Sequence, residues 1–397
     1  MLDDNDHREL GKHLDLFHFQ EEAPGMAFWH PRGLALFGVL ENVIRRQLRR
    51  DGFAEVRTPQ LLRLPVWQRS GHLEHQGQHM FLLADGPESC AVKPVSCPGH
   101  FELFRRRAAS YRDLPLRYAE LGLVHRNEPS GTLHGLFRLR QFTQDDGHVF
   151  CEESQVAAEI ARFARSLVEV YAAFGFSGLD VAFSSRPDER AGTDAAWDRA
   201  ESMLLEAARA AGLEPKPAPK SGAFYGPKLE FALADRLGRS WQCGTIQVDL
   251  VLPERFDVHY VSSSGQRCRP VVLHRATFGS LERFLGILLE QHAGALPPWL
   301  APEQAILLPV GPADCDYAGE FARLLAGAGV RARIDQRDEP LARRVLAAHD
   351  AGAAYALVLG PREAANRSVS LRRGQERSVL PLDRAVARLE AECRPPL

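Results

Sequence analysis

The 397-residue sequence contains no CxxC pair, no apolar run of membrane-spanning length and almost no net charge. Its seven cysteines, at 90, 97, 151, 243, 268, 315 and 393, show no paired spacing. An odd, scattered set in a large chain argues for reduced thiols, of which at most one or two are functional. Any metal site must therefore be assembled from distant parts of the chain. The longest apolar runs, 305–310 and 355–359, are only strand-length, whereas a bilayer span takes about 20 residues. The opening Met1-Leu2-Asp3-Asp4-Asn5-Asp6 is acidic where an export signal would be basic and then apolar. That predicts a cytoplasmic protein with no membrane association. A net charge of −2 neither demands nor forbids a nucleic-acid partner, because a basic face can be offset elsewhere. No internal repeat or low-complexity tract stands out.

What is present is globular in kind, with 45% hydrophobic and 25% charged residues over a length that suggests two or three domains. Apolar residues at 36, 39, 40, 43, 44 and 48 share one helical face, and Asp51-Gly52 supplies a glycine stop. A short strand at 53–57 follows, ended by Thr58-Pro59. From 89 to 150, short β-rich runs alternate with turns, as in an antiparallel sheet. Helices are expected at about 153–174, 193–211 and 279–292, the second capped by Thr193-Asp194. Strands are expected at 222–232, 239–251, 257–261 and 270–275. Pro297-Pro298-Trp299-Leu300-Ala301-Pro302 reads as a linker. Beyond it, strands at 305–310, 330–335, 355–360 and 368–373 alternate with helices at 316–328, 341–351 and 382–393. This predicts a small α/β domain with a largely parallel sheet. The expected domains are 1–298, an antiparallel sheet flanked by helices, and 303–397.

The richest chemistry lies in 125–150, HRNEPSGTLHGLFRLRQFTQDDGHVF. Arg126 and Arg138 stand about a hairpin's length apart around Pro129-Ser130-Gly131, a spacing that lets two guanidinium groups clamp a polyphosphate. Glu128 follows Arg126 at strand spacing, and so do Phe142, Gln144 and Asp146 among themselves. Phe142 offers a face for a purine. His148 stands beside the carboxylates Asp145 and Asp146, Cys97 sits in Pro94-Val95-Ser96-Cys97-Pro98, and His274 lies on an expected strand. Taken singly, each has a plain structural reading: Cys97 as a small buried hydrophobe, His148 and His274 as core histidines, the arginines as surface charge.

Together these segments resemble the catalytic core of the threonyl-tRNA synthetases, which are class II aminoacyl-tRNA synthetases. The resemblance runs from about Asp6 to the C-terminus. Its marks are EEAPGM at 21–26, KPVSCPGH at 93–100, HRNEPSGTLHGL at 125–136, FTQDDGHVF at 142–150, GAFYGPKLEF at 222–231, QCGTIQVDL at 242–250 and HRATFGSLERF at 274–284. The resemblance implies an α/β fold: a class II antiparallel sheet flanked by helices, followed by a small anticodon-binding-type domain. It implies a homodimer built on the helix and strand at 36–59, acting on ATP, Mg²⁺, L-threonine and tRNA(Thr). Arg126 would hold the α-phosphate and the substrate carboxylate, and Arg283 the opposite side of the nucleotide. Glu128 would meet the adenine amino group, Phe142 would stack on the ring, and Arg138 would contact the γ-phosphate. Gln144, Asp146, Tyr225 and Gln247 would surround threonine. Cys97, His148 and His274 would bind one zinc ion per subunit, and His72 would aid transfer to the tRNA ribose. Glu363 and Arg372 match anticodon-reading positions.

Two departures matter. The core begins within the first dozen residues, so an N-terminal editing region is expected to be missing. Serine keeps the hydroxyl and differs by one methyl, worth only roughly 10–200-fold in discrimination. Seryl products, cleared by a separate trans-editing protein, are therefore expected. In the C-terminal domain the usual Arg-Asn-Glu-Lys segment reads Arg337-Asp338-Glu339-Pro340, and a carboxylate there repels a phosphate or base acceptor. That change keeps open a second reading, a paralogue that adenylates threonine or a β-hydroxy analogue for a carrier protein. A third reading, a catalytically dead binding module, conflicts with the intact arginines and metal ligands.

Overall fold

Two of the three longest strands among the described residues arise in the stretch where alternation is clearest. Leu116–His125 and Gln141–Cys151 pair antiparallel, from Leu116 opposite Phe150 to His125 opposite Gln141. They belong to an eight-stranded sheet of the computed structural model, which describes residues 5–84, 86, 89–235 and 238–397. The acidic opening Met1-Leu2-Asp3-Asp4 lies outside the described residues.

In chain order the strands of this sheet are β1 (Ala54–Glu55), β2 (Leu116–His125), β3 (Gln141–Cys151), β4 (Leu179–Ser184), β5 (Lys216–Ala218), β6 (Lys228–Ala234), β7 (Ser240–Asp249) and β8 (Val271–Ala276). Their spatial order is β5-β4-β6-β7-β8-β3-β2-β1. Only the two edge pairs, β4 with β5 and β1 with β2, are parallel. The central antiparallel strands β7, β8 and β3 carry the site.

The amphipathic pattern at 36–48 forms helix α1 (Pro31–Arg50), and Leu36, Val39, Leu40, Val43, Ile44 and Leu48 are all buried. Gly52 ends the turn at φ 79°, a conformation in which a Cβ is strained. Helix α2 (Cys97–Arg105) falls where only strands and turns were expected. Pro98 and Gly99 disguise it, yet proline fits the first helical turn, where its missing N–H has no partner to lose. Gly99 is required by packing, since a Cβ there would stand 2.7 Å from the Thr58 side chain.

Helices α3 (Val156–Ala173) and α4 (Asp194–Ala210) match their periodicity. Thr193 caps α4, its hydroxyl accepting from the Ala196 N–H. The segment 222–227 is a tight turn rather than strand, closed by reciprocal bonds between Ala223 and Gly226. A Cβ on Gly226 would lie on the Val248 carbonyl oxygen. Gly226→Ala should therefore cost about 1–3 kcal/mol by overpacking and move Tyr225; an unchanged denaturant midpoint would contradict this.

Packing divides the chain into two units. One comprises Phe19–Met26 and Glu41–Ile287 and contains the large sheet. The other comprises the segment ending at His18, Ala27–Leu40 and the stretch from Leu288 to Pro396. The second unit holds β9 (Ala305–Pro309), β10 (Ala332–Ile334), β11 (Tyr355–Leu359), β12 (Ser368–Arg373) and β13 (Glu376–Pro381), in the order β10-β9-β11-β12-β13. β10, β9 and β11 are parallel, but β11-β12 and β12-β13 are antiparallel. The sheet is thus mixed rather than largely parallel: the connection at 360–367 reverses the chain between β11 and β12, and Gly374, at φ 54°, turns it into the β12–β13 hairpin. No helix among the described residues is long and apolar enough to cross a membrane.

Candidate active site

Alternation along β3 places Phe142, Gln144, Asp146 and His148 on one face of the sheet. Register extends the row: His148 stands opposite His274 on β8, and His274 opposite Gln247 on β7. The first turn of α2 brings Cys97 over this face. The metal-ligating atoms of Cys97, His148 and His274 all lie within 4.8 Å of one another, and all three residues are buried. His148 Nε2 is 2.9 Å from His274 Nδ1.

Partners outside the cluster set the ring orientations. His274 Nε2 is 2.8 Å from Asp249 Oδ2, while Asp249 Oδ1 accepts from the Val251 and Leu252 N–H groups. His148 Nδ1 is 2.8 Å from His100 Nδ1. Burial, helped by neighbouring His274 and His100, drives the His148 pKa well down and keeps the ring neutral, the form that binds a metal. Burial raises the Cys97 thiol, so a metal would have to displace its proton on binding. One thiol and two imidazoles suit zinc and do not suit magnesium or calcium. Three protein donors leave a tetrahedral ion one open position.

At the other end of the strand, roughly 20 Å away at 3.4 Å per residue, a cavity of about 260 Å³ opens. Arg126, Glu128, Arg138, Phe142 and Arg283, all five nucleotide candidates, line it. Arg126 and Glu128 sit just past the end of β2 in a loop, not on a strand. Pro129 and the turn at Ser130–Thr132 break the ladder there. The Arg126 guanidinium lies 5.0 Å from the Phe142 ring centroid, and its Nε donates to the Pro94 carbonyl at 3.3 Å. Arg138 pairs with Glu128 at 2.8 Å. Arg283 donates from Nε to the Phe137 carbonyl at 3.0 Å.

Between the two ends, the Gln144 and Gln247 Oε1 atoms are buried without a hydrogen-bond partner. Asp146 Oδ2 accepts from the Ser96 N–H at 3.3 Å. Tyr225 packs 4.8 Å from the His274 ring. His72 is buried against Phe224 and Tyr225, with its Nδ1 2.9 Å from the Ser70 hydroxyl. Desolvation lowers its pKa to about 3, so the ring is neutral at working pH.

Several contributing residues escaped sequence reasoning. Asp145 accepts from the Thr277, Phe278 and Gly279 N–H groups and so anchors the turn into helix α5 (Leu281–Gln291). Glu282, beside Arg283, accepts from the Thr143 N–H at 2.9 Å with both oxygens and from the Ser280 hydroxyl at 3.1 Å. It ties α5 to β3.

Burial pushes the Glu282 carboxyl from its usual 4.5 up to about 7. Between those values the folded state keeps a proton that the unfolded chain has released. The group's stabilisation is full below about 4.5 and lost as pH rises through about 7. Glu282→Gln should remove this slope, gaining on the order of 3 kcal/mol over the parent between about pH 5 and 8. Parallel stability curves would contradict it.

In the other unit, the Glu363 carboxylate accepts from the Gly360 N–H at 3.1 Å and caps a short helix. Arg372 lies on β12, with Nε buried and without a hydrogen-bond partner.

An arginine-lined cavity on a largely antiparallel sheet, in a chain whose core matches the class II family, defines a class II aminoacyl-tRNA synthetase core. The family described as tRNA synthetase class II core domain (G, H, P, S and T) matches residues 81–292, and the family described as anticodon binding domain matches 304–392. A threonine–tRNA ligase of Gluconacetobacter diazotrophicus is 50% identical over 98% of the chain, and one of Paramagnetospirillum magneticum is likewise 50% identical. The chain spans 62% of the length of each. The crystal structure of the RNA binding domain of threonyl-tRNA synthetase from Cryptosporidium parvum superimposes with a TM-score of 0.94 at 38% identity, over 98% of both chains. Prolyl-tRNA synthetase of Giardia lamblia, at 16% identity and a TM-score of 0.75, shares the fold. The chain belongs to the threonyl-tRNA synthetase family.

Proposed function

We propose that this chain activates L-threonine with ATP and attaches it to tRNA(Thr), acting as a homodimer with one zinc ion per subunit and Mg²⁺ carried by ATP. Residues 1–298 form the catalytic domain in this reading and 303–397 the anticodon-binding domain, where Glu363 and Arg372 face the anticodon. The observation that carries it is the convergence of five nucleotide candidates on one cavity, joined by a single strand to the Cys97–His148–His274 cluster. Exposed Leu61, Leu82 and Leu83, on two short strands that flank Cys90–Val92, offer apolar surface to a second copy.

In the activation step the substrate carboxylate attacks the α-phosphorus in line, and the protein positions rather than reacts. Arg126 bridges the carboxylate and the α-phosphate, and Arg283 closes from the other side. Glu128 and Arg138, paired with each other here, exchange that bond for the adenine amino group and the γ-phosphate when ATP enters. Asp146 faces the substrate amino group, and the unpartnered carbonyl oxygens of Gln144 and Gln247 accept from its polar hydrogens. Cys97, His148 and His274 would hold the zinc ion, which would act as a Lewis acid toward the substrate's neutral amino group and its hydroxyl. His72, neutral at working pH, aids transfer to the tRNA ribose as a hydrogen-bonding group, since a pKa near 3 makes it too weak a base to keep a proton.

Amino-acid-dependent ATP–pyrophosphate exchange tests this reading. Threonine should exchange best. Valine, lacking the hydroxyl, should fall by roughly 10⁴-fold or more, and serine by only roughly 10–200-fold. Valine exchanging as well as threonine would overturn the reading.

A further inference from the structure

We infer that His100 is a positioning residue that holds His148 toward the metal and, by occupying His148 Nδ1, keeps the Asp146 carboxylate available to the substrate's amino group, given the zinc and threonine reading above. Behind the metal cluster runs a buried chain of polar groups. Lys93 and Glu120, 1% and 3% exposed, pair at 2.7 Å. Glu120 also accepts from the Thr58 N–H at 3.1 Å and the Thr58 hydroxyl at 2.8 Å. His100, fully buried, stands between this carboxylate and the ligand: its Nε2 is 3.4 Å from Glu120 Oε2 and its Nδ1 is 2.8 Å from His148 Nδ1.

Two ring nitrogens at 2.8 Å share one hydrogen. His148 Nε2 faces the other ligands, so Nδ1 carries the hydrogen and donates it to the lone pair of His100 Nδ1. His100 then bears its own hydrogen on Nε2, toward Glu120. The charge of that carboxylate, 3.4 Å away and short of a formed hydrogen bond, favours this tautomer of His100, which sets that of His148.

The choice of an imidazole here has a consequence for the substrate. A metal-binding histidine usually gives its second N–H to a carboxylate or carbonyl, as His274 does with Asp249. The carboxylate beside His148 is Asp146, whose Oδ1 is 3.7 Å from His148 Nδ1, beyond a good hydrogen bond. With His100 in place, Asp146 is left with one backbone donor, the Ser96 N–H at 3.3 Å. Without His100, Asp146 is the group positioned to close on His148 Nδ1, and it would then be drawn away from the substrate's amino group.

The test compares His100→Leu with His100→Gln, whose amide oxygen is able to accept from His148 Nδ1. Zinc affinity is read by chelator competition, site geometry by the d–d bands of the cobalt-substituted chain, and substrate binding by the separate KM values for threonine and ATP. In His100→Leu zinc should weaken roughly 10–100-fold, the cobalt bands should shift, and the threonine KM should rise while the ATP KM holds. His100→Gln should recover most of each. A leucine variant with the parent's zinc affinity and threonine KM overturns the role of His100. A parent chain that binds no stoichiometric zinc overturns the metal reading itself. Zinc lost in Cys97→Ser but unchanged in His100→Leu sinks the His100 role alone. Should the leucine variant fail to fold, His100→Met poses the same question with a more adaptable side chain.

Discussion

Cys97→Ser is expected to leave the chain folded but without zinc, and to slow threonine activation on the order of a thousandfold or more. The fold should survive because His148 and His274 are held by the β3–β8 ladder and by their own partners, His100 and Asp249. A hydroxyl is a harder, weaker donor than a thiolate at this distance, so the site would be left with two imidazoles and lose most of its affinity. Loss of a Lewis acid that orients the substrate costs several kcal/mol of transition-state stabilisation, which sets the thousandfold scale. ATP binding should hold, because Cys97 is not among the residues lining the nucleotide cavity. The check is metal content by mass spectrometry alongside exchange kinetics. A zinc-free variant that activates threonine normally would contradict the assignment.

The second large effect concerns Arg126. Arg126→Lys should lower the rate of adenylate formation roughly 10²–10³-fold, as loss of a preorganised donor at a transition state does. Lysine keeps the charge but loses the planar fork that reaches two oxygens at once, and it loses the stack on Phe142, 5.0 Å away. Burial lowers the Arg126 pKa, opposed by Glu128, Tyr225 and Asp146, yet an arginine remains charged throughout the working range. Single-turnover adenylate formation measures the step directly. A loss confined to KM, with the turnover rate preserved, would show that Arg126 acts in ground-state binding only.

Much of this site is legible in the sequence. Two-residue spacing in Phe142, Gln144 and Asp146 specified one face of one strand; β3 bears that out and adds His148 to the row. The helix stop at Gly52 and the Thr193 cap followed from local chemistry alone. What escaped depends on contacts distant in sequence. Lys93, His100 and Glu120 are ordinary residues until the sheet places them against Thr58 and His148. Asp249 likewise becomes an orienting carboxylate only through the antiparallel pairing of β7 with β8. Local reading also failed at 97–105, where Pro98 and Gly99 signal a turn but in fact open a helix under tertiary packing. The hairpin around Gly374 shows the reverse case: a strand pair that strand–helix alternation could not announce, because no helix separates its strands.

The most direct test of the whole account is charging of total tRNA by the 397-residue chain with radiolabelled threonine, with serine and valine in parallel. The account predicts that threonine is attached, serine is attached at a lower rate, and valine is not attached. Threonine that is adenylated but never transferred to tRNA would contradict it.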